Sequence, residues 1–175
     1  MQLIKGGRIV EDGFARVADD APVPDRLPVI VPAARFLAEA DAFAAREAPT
    51  GVVWPNDRRV AELAPYLDRL ALVGLVFPVF RDGRAFSQAR LLRERHGFRG
   101  ELRATGQVLR DQFLFMLRAG FDAFEVTKDA DAAAFAQAAR RYSVFYQPTG
   151  DGRVTARASR VGRPARDSLE RDSLL

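Results

Sequence analysis

From about residue 29 the chain alternates short apolar runs with stretches of helical spacing. Val29-Ile30-Val31, Val52-Val53-Trp54 and residues 72–77, 101–105 and 122–126 read as strands. Residues 32–46 place Phe36, Leu37, Ala40 and Phe43 at i, i+3 and i+4 spacing, which predicts one helix opened by Pro32. Asn56 or Asp57 can cap a second helix, with Val60, Leu63 and Ala64 on its apolar face. Residues 84–95 form a third, striped by Ala85, Ala89 and Leu92 and stopped at His96-Gly97. Residues 107–118 form a fourth, opened by Thr105-Gly106, and Asp129 caps a last one carrying Ala132, Phe135, Ala136 and Ala139.

This strand–helix rhythm predicts an α/β fold of repeated βα units with parallel strands and right-handed crossovers. Two architectures fit: an incomplete (β/α) barrel, or an open sheet with helices on both faces. Ahead of it, the Lys5-Gly6-Gly7 and Asp12-Gly13 turns predict an N-terminal β-ribbon, a lid or an edge open to another chain. The prolines and aspartates of residues 19–28 read as a linker. The domain plan is therefore 1–27 ribbon and linker, 28–147 α/β domain, and 148–175 an Arg-rich disordered tail. Residues 142–146 are either a sixth, edge strand or a docking segment.

Composition changes this picture mainly by exclusion. Lysine and arginine number 27 against 23 acidic residues, a net charge of +4, so nucleic acid is not an expected partner. The chain has no cysteine, which removes disulfides, thiolate catalysis and cysteine-held metal centres. No window approaches a membrane span and the start lacks a signal-peptide pattern, so a cytoplasmic address is expected. No Gly-rich fingerprint follows Val31 or Trp54, so the sequence names no cofactor. The one histidine, His96, sits at a helix C-terminus and has no partners for metal ligation or a catalytic triad.

In parallel sheets, binding groups gather beyond the carboxyl ends of the strands. Asp82, Arg84, Ser87 and Arg90 follow the third strand, and positions 84, 87 and 90 share one side of a helix. They form a candidate oxyanion receptor; the alternative is an Asp cap beside arginines on an exposed face. Arg103 interrupts a strand that should be buried and needs a partner, with Glu101 and Asp82 as candidates. It joins the expected anion pocket; the alternative is a structural ion pair. Gln107, Asp111, Leu114 and Arg118 fall along one stripe of the fourth helix and read as its wet face. The rest of that helix is apolar nearly all round, which predicts a homo-oligomer or a stable complex built on Leu114 or Phe115.

The stretch FPVFRDGRAFSQARLLRERHGFRGELRATGQVLRDQFLFMLRAGFDAFEV, residues 77–126, resembles the signature of a bacterial domain-of-unknown-function family. Its members are commonly encoded beside sulfite reductase and labelled oxidoreductases of sulfite reduction. The resemblance covers about residues 3–147. The family pattern often has Asp where this chain has Gln107. The resemblance implies a role in assimilatory sulfur metabolism, with sulfite reductase or another enzyme of that metabolism as partner and a small oxyanion as ligand. Without a cysteine or a flavin loop, an accessory protein of sulfite reduction is expected ahead of a free-standing reductase. A non-catalytic adaptor and a phosphate-ligand enzyme on a partial barrel are the alternatives.

Overall fold

The computed structural model describes residues 2–127, 130–151 and 153–161. It opens with a hairpin of β1 (Gln2–Lys5) and β2 (Arg8–Val10). Lys5 pairs with Arg8 across a two-residue turn in which Gly6 and Gly7 both have positive φ, 57° and 79°. That is the turn whose twist matches paired strands, and it favours glycine at both positions. After it come β3 (Ala15–Arg16), β4 (Val29–Pro32), β5 (Thr50–Trp54), β6 (Leu70–Phe77), β7 (Glu101–Gly106) and β8 (Ala123–Val126). All eight belong to one sheet, in the order β2-β1-β8-β7-β6-β5-β4-β3. From β3 to β8 every pairing is parallel, and the hairpin adds antiparallel to β8. The expected ribbon is thus part of the main sheet.

Strands that follow sequence order with right-handed crossovers put their connections on one face. The core bears this out. Val52, Trp54, Val73, Leu75, Phe77, Leu102, Ala104 and Phe124 on that face share one cluster with Phe36, Ala85, Ala89, Leu92, Phe113, Met116 and Phe135.

The other face curls inward, and chain length proves it. β2 and β3 are the two edges, yet only residues 11–14 join them. Laid flat, eight strands would separate those edges by about 34 Å at about 4.8 Å per spacing. The five steps from Val10 to Ala15 reach at most about 18 Å. An ion pair makes the same point: Arg16 of β3 meets Glu125 of β8, although five spacings would hold them about 24 Å apart in a flat sheet. Of the two expected architectures, the protein takes the partial barrel: a mostly parallel α/β half-barrel with helices around its outside and a strap, residues 11–14, across its mouth.

The connections depart from expectation in instructive ways. The single helix over 32–46 is two, α1 (Ala33–Ala38) and α2 (Ala40–Ala44), separated at Glu39 with φ −120°. The second connection is a 3-10 helix, Val60–Arg69, which contains Pro65. α3 (Arg84–Arg90) continues as a π-helical turn, Leu91–Arg95, and ends at His96 with Gly97 at φ 66°.

The fourth helix starts later than expected. Gly106 ends β7 at φ 91°, where a Cβ would lie 2.4 Å from the Phe77 carbonyl oxygen. Gln107 N–H then bonds that same oxygen at 2.8 Å, so the chain stays against β6. A 3-10 turn (Arg110–Gln112) leads into α4 (Phe113–Ala119). Gln107 and Asp111 therefore precede the helix, and Leu114 is buried, so the expected wet stripe does not form.

α5 (Ala130–Arg140) follows β8; its expected cap, Asp129, lies outside the described residues. Residues 142–146 add no strand to the sheet. Phe145 instead docks against the body, bridges Thr155 and lies 4.1 Å below the Arg118 guanidinium. Arg118 also bonds the Gln147 carbonyl at 2.5 Å and Asp151 at 3.3 Å, so ordered contacts run past Pro148 into α6 (Ala156–Val161). Residues 162–175 of the expected tail lie outside the described residues.

Candidate functional site

In neighbouring strands, residues in register point to the same face. Arg103 pairs with Gly74 and Ala123, and Arg16 with Ile30. Inside the half-barrel these positions alternate with the apolar ones that face the helices. Leu102 and Ala104 face the core, while Arg103 and Thr105 face inward, as the β7 sequence predicts. Gly51 and Gly74 lie on this inner face, and a Cβ on Gly51 would come within 3.0 Å of Leu72 and 3.3 Å of Ile30.

Arg103 is the centre of this interior. Only 1% of it is exposed, and it is among the largest fully buried side chains. Its Nε donates to Glu101 at 2.7 Å, its Nη1 to Glu125 at 3.2 Å and to Asp12 at 2.5 Å, and its Nη2 to Asp12 at 3.0 Å. The second Glu125 oxygen accepts from the Thr105 hydroxyl at 2.6 Å, and Arg16 closes on the first. Lys5 reaches the other Glu101 oxygen at 2.7 Å. Three cations thus meet three carboxylates: Lys5, Arg16 and Arg103 against Asp12, Glu101 and Glu125. Burial works against the Arg103 charge, but hydrogen bonds to Asp12 and Glu101 outweigh it and raise its pKa above the ordinary value. Burial likewise pushes Asp12 upward, yet the Arg103 hydrogen bond and the Phe14 N–H hold its carboxyl below the ordinary value.

Beside this network the interior opens into a cleft of about 440 Å³. It lies at the carboxyl ends of β4, β5 and β6, where Ile30, Pro32, Val53 and Val76 form apolar walls. Arg16 and Arg58 bring positive charge to it. Arg58 follows β5, on a loop fixed from α3: Gln88 donates to the Pro55 carbonyl at 3.0 Å and the Arg58 carbonyl at 2.8 Å. The Arg58 guanidinium lies 5.5 Å from the Trp54 ring and pairs with Glu62 at 3.1 Å, on an exposed rim.

The residues expected to form one pocket occupy two places. Asp82 and Arg84 do come together: the Asp82 carboxylate takes the Arg84 N–H at 3.2 Å and its guanidinium at 2.7 Å, which holds Asp82 well below the usual carboxylate range. Arg84, Ser87 and Arg90 share one side of α3, the exposed side, while Ala85, Gln88 and Ala89 are buried. Arg90 pairs along its own helix with Glu94 at 3.2 Å. Arg103 lies on the opposite face of the sheet from α3. Of its two candidate partners Glu101 is one, and Asp82 is not. Sequence reasoning missed Asp12, Glu125, Arg16 and Arg58. Glu125 carried the same signal as Arg103, a charge inside a short apolar strand; Asp12, 91 positions from Arg103, carried none.

Fold and site together define a partial-barrel α/β protein with a charged, strapped interior and an Arg-flanked cleft at the carboxyl ends of its strands. More particularly, the chain belongs to DUF934, a family of bacterial proteins of unknown function, whose model matches residues 51–156. No curated protein matches it. Among the described residues, no group of His, Asp and Glu could hold a metal ion, and no helix is long and apolar enough to cross a membrane.

Proposed function

We propose that this protein is an accessory component of sulfite reduction that holds a small oxyanion inside its half-barrel, with Arg16 and Arg58 as the receiving cations. The observation that carries the ligand reading is the cleft at the carboxyl ends of β4 to β6, with two guanidiniums at its wall. That is where ligands bind in parallel sheets and barrels. Guanidinium forks suit tetrahedral and pyramidal oxyanions. The sulfur assignment rests on the resemblance of residues 77–126 to proteins encoded beside sulfite reductase.

Arg58 tests the ligand reading, because it lines the cleft but takes no part in the Arg103 network. Sulfite should raise the unfolding midpoint of the full chain, and Arg58→Met should lose that protection at unchanged ligand-free stability. Equal protection of both proteins would rule the cleft out as the site.

Exposed apolar side chains support the accessory role. Phe115 is 65% exposed on α4 and Phe80 is 50% exposed, with Leu109 beside the loop that Phe80 joins through Gln107 and Gln112. A purified, colourless protein that retains sulfite reductase in a pull-down, and loses it in Phe115→Ser, is the expected outcome. A yellow protein that turns over sulfite alone would replace the accessory reading with an enzymatic one.

A further inference from the structure

We propose that the outer edge of the Arg103 guanidinium is an anion-binding site that Asp12 fills in the free protein, its carboxylate standing where two oxygens of a small anion would bind. The idea rests on the reading that the interior receives an oxyanion; it adds a second receiving group, Arg103, which does not line the cleft, and names what the anion must displace there.

The partners of Arg103 divide into two kinds. Glu101 lies two residues away on the same strand, and Glu125 comes from the paired strand β8. Both are fixed by the sheet. Asp12 comes from the strap, which has no regular structure between β2 and β3. It takes two guanidinium nitrogens side by side, at 2.5 and 3.0 Å. That bidentate geometry is the one in which arginine takes a free carboxylate or oxyanion. The backbone ladder resumes only at Ala15, whose N–H bonds the Pro28 carbonyl at 2.9 Å.

Exposure separates the two kinds further. The Asp12 side chain is 32% exposed, against 11% for Glu101 and 5% for Glu125. The edge that Asp12 covers therefore faces the mouth of the half-barrel. Charge supports the exchange. With three cations against three carboxylates, withdrawing Asp12 leaves one positive charge in excess, and one bound anion cancels it. Arg16 links this edge to the cleft, because it both lines the cleft and holds Glu125. A tethered carboxylate competes at an effective concentration on the order of millimolar or higher. Free anions consequently bind the intact chain with an affinity reduced by that competition.

The test is calorimetric titration of the full chain with sulfite, inorganic phosphate and acetate in turn. Asp12→Asn keeps the shape of the strap and removes its charge. It should bind at least one of the three about tenfold tighter than the unaltered chain, and the anion that gains identifies the ligand class. Adding Arg103→Lys to Asp12→Asn keeps the charge, breaks the fork and should erase the gain. If Asp12→Asn binds none of the three more tightly, the proposal is overturned, whatever the cleft does. If Arg58→Met leaves sulfite binding intact while Asp12→Asn gains, the cleft reading falls and the Asp12 site stands. Should Asp12→Asn fail to fold, Phe14→Ala removes the strap's ring, 5.9 Å from the Arg103 guanidinium, without removing a charge. It should produce a severalfold gain, and no gain there overturns the proposal equally.

Discussion

Two sets of arginines lie within twenty residues of one another in the chain and experience opposite physics. Arg84 and Arg90 stand on the outer side of α3, each with a carboxylate from its own neighbourhood, Asp82 and Glu94. Arg103 stands inside the half-barrel with carboxylates from β7, β8 and the strap. On an exposed helix a charged side chain finds water in any case, so its ion pair gains little. Inside a curled sheet it has exchanged water for carboxylate partners, and a partner lost without replacement leaves a buried charge uncompensated. The residue type is the same; the difference is which face of which element carries it.

Removing the inner arginine should sharpen that contrast most. Arg103→Met leaves Glu101, Glu125 and Asp12 without their shared cation, and breaking a buried pair in this way costs about 3–5 kcal/mol. The urea midpoint should fall accordingly. Adding Glu125→Gln should not add its full separate cost, because the two side chains share one network. A fall in stability no larger than that of an exposed substitution, or strict additivity of the pair, would show that the interior network is not what holds the curl.

Asp12 supplies the next effect, and its sign follows from its shift. The folded protein holds this carboxyl below its ordinary value. Its charge therefore contributes stability that is fully present above the unfolded value of about 3.9 and is lost as pH falls through the lower folded value. The unaltered chain should be more stable than Asp12→Asn by a constant margin from pH 7 to about 5, and that margin should close below about pH 4. A margin that persists undiminished at pH 3 would show that the strap is held by something other than the Asp12 charge.

The contrast also marks what could be read from the sequence. The strands were legible because parallel strands buried on both faces are short apolar runs. The Arg103 and Thr105 face of β7 was legible from a period of two. The start of α4 was not, since Val108 and Leu109 continue its apolar pattern while the turn at Gly106 holds the backbone against Phe77. The split of the first helix at Glu39 left no proline or glycine to signal it. The interior network was half legible: a buried arginine announces that it needs carboxylates, and Glu101 was close enough in the chain to be named. Asp12 was out of reach because its meeting with Arg103 depends on the curl of the whole sheet, which brings the β2 and β3 edges within the span of residues 11–14.

The outer arginines should give the smallest effect. Spacing of three residues correctly put positions 84, 87 and 90 on one side of a helix, but spacing alone does not say which side faces the sheet. Ala85 and Ala89 decide it: they are fully buried against β6, so their neighbours at 84, 87 and 90 must face out. The Arg84 side chain is more than half exposed, as is that of Arg90, and water replaces either partner when the side chain is shortened. Arg84→Met and Arg90→Met, singly or together, should leave the urea midpoint within error of the unaltered chain and leave sulfite protection unchanged. A loss of protection in either, with the fold intact, would mean that the oxyanion sits over α3, and the division between an inner binding face and an outer solvated one would have to be reversed.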